Sequence, residues 1–254
     1  MDFIGKQSVN TDKTVYVTTS WDDGTVEDVK LAKLLDRYGL KGTFYCLLHS
    51  NEFNLMSVKD LLDIARNHEV GAHTIGHCDL RRLPGIKLKE DILSSKEELS
   101  KIIGKDVTMF CYPYGKYNKR VVDAVKISGF KGARIVRWLC SNKPTDPYRI
   151  APTAHAYPHS RFINIGHLIK NLDFKGFAGY IGKANMTDKW VDIAINMFDC
   201  INKEGGTWHL WGHSREIENL NLWDSLESVF KYVSNRQNVV YCTNGELIDK
   251  IFKN

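Results

Sequence analysis

The sequence lacks several features that would assign it to a specialised class of protein. No segment approaches the roughly 18 consecutive apolar residues of a membrane-spanning helix. No block of about five or more Lys and Arg residues occurs, so the net charge of +5 indicates a solvated surface rather than a nucleic-acid footprint. Low-complexity tracts, long linkers and internal repeats are also missing. We therefore expect no membrane span and no nucleic-acid partner.

The cysteines are few and scattered. The six of them form no Cys-x-x-Cys pair, so neither a zinc knuckle nor a dense disulfide framework is expected. Several lie in apolar runs, where a small buried side chain is more common than a nucleophile. The N-terminal residues contain no basic stretch followed by an apolar one, as a secretory signal would. The expected location is cytoplasmic, or the cell envelope or exterior if a signal has been removed.

What the sequence does contain is an alternation of strand-like and helix-like segments. The β-branched run Val15–Ser20 predicts a strand, a capping pattern at Ser57 predicts a helix start, and apolar spacing predicts a long helix over Lys87–Ile103. Residues 136–188 show weak periodicity and are predicted to be irregular. Such alternation is typical of a mostly parallel sheet with helices outside it, in which functional side chains collect at the carboxyl ends of the strands.

The first candidate cluster is the pair Asp22 and Asp23, at the end of the first predicted strand. Two adjacent carboxylates are costly to place together unless something such as a divalent cation offsets their repulsion. Neighbouring side chains in extended chain point to opposite sides, so one aspartate could bind a metal while the other acts as a base. Taken alone, the motif is more often a solvated turn.

The second cluster is His73 and His77, which follow a short predicted strand. In a helical turn this spacing puts both imidazoles on one face, where they can reach one ion. No glutamate follows His73, so the pattern is not the zincin motif. Two histidines and one aspartate would make a facial triad with open positions for water and a substrate oxygen. Two unrelated polar histidines would leave the same pattern.

Two further clusters follow later predicted strands. The Pro-Tyr-Gly turn at 113–115 would expose backbone N–H groups that could form an oxyanion hole, although a structural turn is the simpler interpretation. Residues 208–214 hold two histidines and two tryptophans. A histidine there could be a general acid, and the tryptophans could stack on a sugar ring or pack in the core.

In this order, the four clusters resemble the motifs of the polysaccharide deacetylase family, the NodB-homology type of carbohydrate esterase family 4. Its TFDDG and H-[ST]-x-x-H motifs compare with Ser20–Gly24 and His73–His77, its R-x-P-[YFW]-G motif with Cys111–Gly115, and its late Leu and His with Leu210 and His213. The first two motifs together are specific. The similarity spans about residues 15–214.

The resemblance implies an α/β fold, a distorted (β/α) barrel of about seven parallel strands, forming a single catalytic domain over residues 1–254. It implies a hydrolase that removes acetyl groups from N-acetylated or O-acetylated sugars, oligosaccharides or polysaccharides. It also implies one divalent ion, usually zinc, with cobalt, nickel and manganese as alternatives.

Roles for individual residues follow from the resemblance. Asp22 is similar to the general base, Tyr114 to the residue whose backbone N–H binds the oxyanion, and His213 to the general acid, with His209 as the alternative. The implied metal ligands are Asp23, His73 and His77. The implied substrate-binding residues are Pro113, Trp211 and His209.

Two departures from the family pattern concern the support of the base and the acid. The third motif usually opens with an arginine that holds the catalytic aspartate, and here Cys111 stands in its place. Arg134 follows the next predicted strand and could supply that charge, or it could be a surface arginine. The family's Asp-x-x-Asp-Trp segment is not recognisable. Its region contains Trp138, His155 and His159.

Other functions are compatible with the same residues. One is hydrolysis of small amides, imides or ureides, which relatives of this fold perform, some without metal; the intact triad argues against the metal-free version. Another is a carbohydrate-binding module with an inactive site, which would suit the missing arginine. A glycosidase is disfavoured, because adjacent aspartates cannot straddle a glycosidic bond at the required separation.

Overall fold

The computed structural model describes residues 13–170, 179–182 and 184–252. Its strands are short, and all of their pairings are parallel. They are β1 (Val15–Asp23), β2 (Gly42–Cys46), β3 (Glu69–Ala72), β4 (Met109–Cys111), β5 (Gly132–Arg134), β6 (Ala154–His155), β7 (Gly206–Gly212) and β8 (Val239–Tyr241).

Helices connect and cover these strands, as parallel pairing requires. They are α1 (Asp28–Arg37), α2 (Val58–Asn67), α3 (Gly85–Ile103), α4 (Lys119–Ile127), α5 (Arg161–Lys170), α6 (Trp190–Glu204), α7 (Ser214–Asn219), α8 (Trp223–Val233) and α9 (Asn244–Phe252). Two short 3₁₀ helices, Leu80–Arg82 and Pro113–Gly115, lie in loops near the carboxyl ends of strands. Within the described ranges, no helix has both the length and the apolar character to cross a membrane.

The sheet is ordered β5-β4-β3-β2-β1-β7-β6, with β8 beside the start of β1. β1 is the centre: it pairs with β7 over Val15–Trp21, with β8 over Val15–Val17 and with β2 over Thr19–Asp23. The path curls, because Ile150 bridges to Arg134 in β5 just before the chain enters β6, which pairs with β7. The predicted distorted barrel of about seven parallel strands is confirmed.

The core lies on both faces of this sheet. β7 is buried throughout, and β1 is buried except at Tyr16, which is half-buried. Strands covered on both faces need no alternation of polar and apolar residues. Polar side chains on them can pair with one another or with a neighbouring helix: Ser20 Oγ lies 2.8 Å from His209 Nε2, and Thr18 Oγ1 donates to Asn244 Oδ1 at 3.0 Å.

Several element boundaries agree closely with the sequence predictions. Ser57 Oγ accepts a hydrogen bond from the backbone N–H of Asp60, and the Asp60 carboxylate accepts one from the backbone N–H of Ser57. The capping box at the start of α2 is therefore confirmed. The long helix predicted over Lys87–Ile103 is α3, which starts at Gly85 and ends where Gly104 takes a left-handed conformation.

The prediction that residues 136–188 are irregular is wrong in three places, one of which is the helical stretch 179–182. The segment contains β6, which is only two residues long and therefore leaves no pattern to read. It also contains α5, in which Phe162, Ile163 and Ile169 are 85%, 52% and 64% exposed, so its apolar residues do not mark one buried face. Residues 171–178 and 183 of this segment lie outside the described ranges.

Candidate active site

The carboxyl ends of four strands bring the predicted site residues together. Asp22 and Asp23 end β1, and His73 directly follows β3. Arg134 ends β5, and His213 directly follows β7. Residues far apart in the chain meet here because parallel strands present the same end at one edge of the barrel.

The predicted metal ligands form a compact triad. Asp23 Oδ1 lies 3.9 Å from His73 Nε2 and 3.8 Å from His77 Nε2. That oxygen is buried and has no hydrogen-bond partner among the described residues, whereas Asp23 Oδ2 lies 3.6 Å from Arg215 Nη2. A buried acceptor without a partner is costly, and a cation bound between the two imidazoles would satisfy it. The triad therefore fits a divalent metal.

The histidines of the triad are in the state that ligation requires. His73 Nδ1 lies 2.8 Å from the carbonyl oxygen of Cys111, so Nδ1 is the protonated nitrogen and the lone pair of Nε2 faces Asp23. Burial lowers the pKa of His73 to about 4. It also lowers the pKa of His77. Both imidazoles are therefore neutral near pH 7 and free to bind a cation.

The backbone around the triad differs from the geometry expected from the sequence. Asp23 is not extended but left-handed, with φ 79°, and Gly24 follows with φ 72°. His73 and His77 are joined by a tight turn and not by a helical turn, since Thr74 and His77 have φ 71° and 58°. The Thr74 hydroxyl accepts the His77 N–H at 3.0 Å and holds this turn. Non-glycine residues in this region carry backbone strain, which functional sites often contain.

Asp22 is buried beside the triad and is held by two other strands. The Arg134 guanidinium contacts both of its carboxylate oxygens, and Trp211 Nε1 donates to Oδ2 at 2.9 Å. Burial alone would raise the pKa of Asp22. The charges of Arg134, His73 and His213 outweigh burial and hold that pKa well below its usual range. Asp22 is therefore ionised and fixed in orientation.

Arg134 lies where the missing arginine of the third motif is needed. It is the register partner of Cys111 across the β4–β5 pairing, so its guanidinium comes from the adjacent strand at the same level of the barrel. Its side chain is fully buried, and the guanidinium carbon lies 4.9 Å from the centroid of the Trp211 ring and 5.5 Å from that of Tyr45. This rigid aromatic surround is incompatible with a surface arginine.

His213 lies close to Asp22 and has a carboxylate partner of its own. Its Nε2 is 3.9 Å from Asp22 Oδ2, and its Nδ1 is 2.8 Å from Glu216 Oε2. Burial alone would lower the pKa of His213, but the hydrogen bond to Glu216 and the charge of Asp22 outweigh it and raise that pKa. Glu216 was not anticipated from the sequence; the available signal was its position three residues after His213, one turn into α7.

Three other predicted site residues have little or no exposed surface. His209 is fully buried against Ser20, and burial followed by the charge of Arg134 lowers its pKa to about 3, so it is placed neither as the acid nor as a substrate contact. Trp211 is 6% exposed, and its indole N–H is used by Asp22. Pro113 is buried at the first position of its 3₁₀ turn. Their burial leaves them little or no surface with which to contact a substrate.

Tyr114 lies on the open side of the triad. It is 56% exposed, has φ 56°, and its ring centroid is 4.3 Å from that of His77. Beside it is a cavity of about 320 Å³, lined by residues 49–53, Gly76, His77 and Tyr114. A substrate in this cavity would contact His77 of the triad and Tyr114 of the 113–115 turn.

Comparison with known proteins identifies the class to which this fold and site belong. The family model of polysaccharide deacetylases matches residues 8–133, and the chain belongs to this family. The peptidoglycan-N-acetylmuramic acid deacetylase PdaA of Bacillus subtilis is 24% identical over 144 residues, which are 54% of this chain and 53% of that protein. The uncharacterised Bacillus subtilis protein YlxY is 26% identical over 123 residues, 48% of this chain and 36% of its own. The chain thus spans about half or less of these relatives.

Solved structures agree on the fold. A presumptive polysaccharide deacetylase from Mycobacterium smegmatis superposes with a TM-score of 0.68 at 15% identity, covering 94% of this chain and 91% of that one. The chitin deacetylase of the fungus Colletotrichum lindemuthianum gives a TM-score of 0.58 at 16% identity, covering 91% and 86%.

Proposed function

We propose that the protein is a metal-dependent hydrolase that removes acetyl groups from N-acetylated or O-acetylated sugars or polysaccharides. The observation that carries this proposal is the position of Asp22. It is ionised, clamped by Arg134 and Trp211, adjacent to the Asp23 triad and 3.9 Å from His213. A base and an acid beside one cation site are what acyl hydrolysis requires.

The triad of Asp23, His73 and His77 would hold the ion. Two imidazoles and one carboxylate suit zinc, and cobalt, nickel and manganese accept the same donors. A bound ion would supply polarisation of the acyl carbonyl and a lower pKa for the attacking water.

The remaining steps belong to the side chains and backbone of this chain. Asp22 accepts the proton of the attacking water while Arg134 and Trp211 keep its oxygens in place. The backbone N–H of Tyr114 donates to the oxyanion that develops on the acyl oxygen. His213, protonated with the help of Glu216, gives its proton to the leaving amine or alcohol, and acetate departs.

The cavity beside the triad supports a sugar as the acetyl carrier. Its walls combine polar side chains with the rings of Tyr114 and Phe53, and the Phe53 ring centroid lies 6.0 Å from that of His77. Aromatic rings of this kind pack against the apolar faces of pyranoses, while polar groups bind their hydroxyls. The names of PdaA and of the fungal chitin deacetylase describe action on acetylated polysaccharides, which points in the same direction.

The contact between Arg134 and Asp22 counts against an inactive carbohydrate-binding module. That alternative rested on the cysteine at position 111, which left the base without a cation. Because Arg134 provides the guanidinium from the next strand, the base has its usual kind of partner.

The direct test is acetate release. Purified protein loaded with one equivalent of zinc is offered an N-acetylglucosamine oligomer, peptidoglycan and an O-acetylated xylan, with and without chelator. We expect acetate from at least one of them, abolished by chelator and restored by zinc, and none from the Asp23→Asn variant. Release that survives chelation would refute metal dependence. Hydrolysis of a cyclic imide or ureide without acetate release from any sugar would favour the small-amide alternative.

A further inference from the structure

A second group of potential metal ligands lies beside His213. His155, His213 and Glu216 each offer an atom within 4.8 Å of the others. Glu216 Oε2 is 2.8 Å from His213 Nδ1 and 3.8 Å from His155 Nε2. One carboxylate oxygen thus lies between two imidazole nitrogens. The Asp23 triad has the same set of donors, one carboxylate and two imidazoles.

Of these three residues, His155 has a ring nitrogen that is available to a ligand. Its side chain is nearly buried, and its Nε2 has no hydrogen-bond partner among the described residues although it faces Glu216. Its Nδ1 lies 2.7 Å from His159 Nε2. When this Nδ1 carries the proton, the lone pair of Nε2 is free, as it is on His73 beside the Cys111 carbonyl.

The packing around His155 fixes this orientation. Its ring stacks on Trp211 with centroids 3.8 Å apart and an interplanar angle of 14°. The ring of His159 stacks in turn on Trp138 at 5.0 Å and 8°. Since neither imidazole can turn without disturbing an aromatic stack, the Nε2 lone pair is held in place before any ion arrives.

We propose that His155, His213 and Glu216 form a second site for a divalent cation of the zinc type, distinct from the Asp23 triad and filled when metal is in excess. Its affinity is lower than that of the triad, because Glu216 gives up its hydrogen bond to His213 on binding. Asp23 Oδ1 has no such bond to lose.

Filling this site has a catalytic consequence, and this part rests on the proposed function. His213 can act as an acid only while its imidazole carries a proton that Glu216 stabilises. An ion on His213 Nδ1 and Glu216 Oε2 takes the place of the second ring proton and keeps the imidazole in its neutral, ligating form. Excess metal is therefore inhibitory, whereas the ion in the triad is required.

The binding part is tested by counting ions. Equilibrium dialysis against zinc should give about one ion per chain at equimolar metal and about two in excess metal. His155→Gln and Glu216→Gln should each keep the first ion and lose the second, and Asp23→Asn should lose the tighter one only. His49→Gln removes an exposed histidine outside both groups and should keep both ions. Cobalt substitution gives a second readout, since each filled site adds its own visible absorption.

The inhibitory part is tested by comparing activity at one equivalent of zinc and at excess zinc within each variant. Wild type should lose activity by about 10²-fold, the contribution of a general acid, while His155→Gln should change little between the two conditions. Wild-type protein that saturates at one ion, or a second ion that persists in both variants, overturns the proposal. Absence of acetate release at one equivalent of zinc would instead refute the proposed function and leave the ion counts standing.

Discussion

The two halves of the chain contribute to the site in different ways. The first half, where the family model matches and which ends at residue 133, contains the proposed base Asp22 and the three residues of the proposed metal triad in readable motifs. The second half contains the groups that hold and assist them, beginning with Arg134, the first residue beyond the match. Trp211, His213 and Glu216 follow, and only His213 corresponds to a motif.

This difference has a physical origin. A metal ligand is tied to its ion by a bond of about 2 Å and tolerates little displacement, so if His73 and His77 bind an ion, their spacing after the strand is tightly constrained. A cationic partner of a carboxylate needs only to place a guanidinium within reach. A residue at the end of any of several strands can place it there. In this chain Arg134 on β5 does so, opposite Cys111 on β4.

Loss of a triad histidine should have the largest effect. His73→Ala or His77→Ala removes one of three donors, so we expect the ion to be lost and acetate release to fall to background. Elemental analysis of the purified variants measures the ion directly. Full metal content in both variants would show that the first half of the chain does not hold the metal.

Asp22→Asn should remove the base without removing a ligand. We expect metal content to stay at the wild-type level while kcat falls by about 10²–10⁴-fold. Asp23→Asn is the matched variant, one residue away, and should lose the metal as well. Equal loss of metal in the two variants would contradict the division of labour between these neighbours.

Arg134→Ala should lower kcat by about ten-fold or more with the metal retained, because Asp22 loses its orienting cation. Both groups are buried, so the variant should also lose stability, by up to about 3–5 kcal/mol in denaturant unfolding. Arg134→Lys should recover activity poorly, since an ammonium cannot present a planar fork to a carboxylate.

A double variant tests whether the guanidinium must come from β5. Cys111→Arg combined with Arg134→Ala returns the guanidinium to the strand on which the family pattern carries it, at the position directly opposite Arg134. We expect it to be more active and more stable than Arg134→Ala alone. If it is no better than the single variant, β5 provides more than a charge.

Glu216→Gln should shift the pH dependence of kcat while changing the value of kcat at low pH very little. The Glu216 carboxylate raises the pKa of His213, so its neutralisation lowers that pKa. Since the acid works only when protonated, the alkaline limb of kcat should move to lower pH while the acidic limb stays in place. An unchanged alkaline limb would mean that His213 is not the acid.

Ser57→Ala should have the smallest effect and serves as a control in the scaffold. The substitution removes the cap of α2, which costs about 1 kcal/mol. We expect a lower midpoint of thermal unfolding and unchanged acetate release. A parallel loss of activity would show that the site responds to general destabilisation, and the other variants would then need correction for it.

The parts of the site that follow from residue type and spacing were predictable, and the parts that follow from conformation were not. Asp23, His73 and His77 were expected together, but their left-handed backbone at Asp23 and His77 leaves no sequence signal, because neither is a glycine. Arg134 was a candidate from its place after a strand, with a surface arginine as the equal alternative. Glu216 was missed because a single glutamate early in a six-residue helix resembles any surface charge.

His155 was missed as part of a cluster for a related reason. Its strand is two residues long, and its partners His213 and Glu216 come later in the sequence, after α6. Only the pairing of β6 with β7 brings them together.

The pairing of Cys111 with Arg134 also matters for how such proteins are classified. A comparison that checks catalytic positions column by column would score the third motif as broken and the protein as inactive. Here the guanidinium is carried by the neighbouring strand. Arg134 is 23 residues after Cys111 in the sequence but lies directly opposite it in the sheet. Function is better assigned here from the set of groups that surround Asp22 than from the letters at fixed alignment positions.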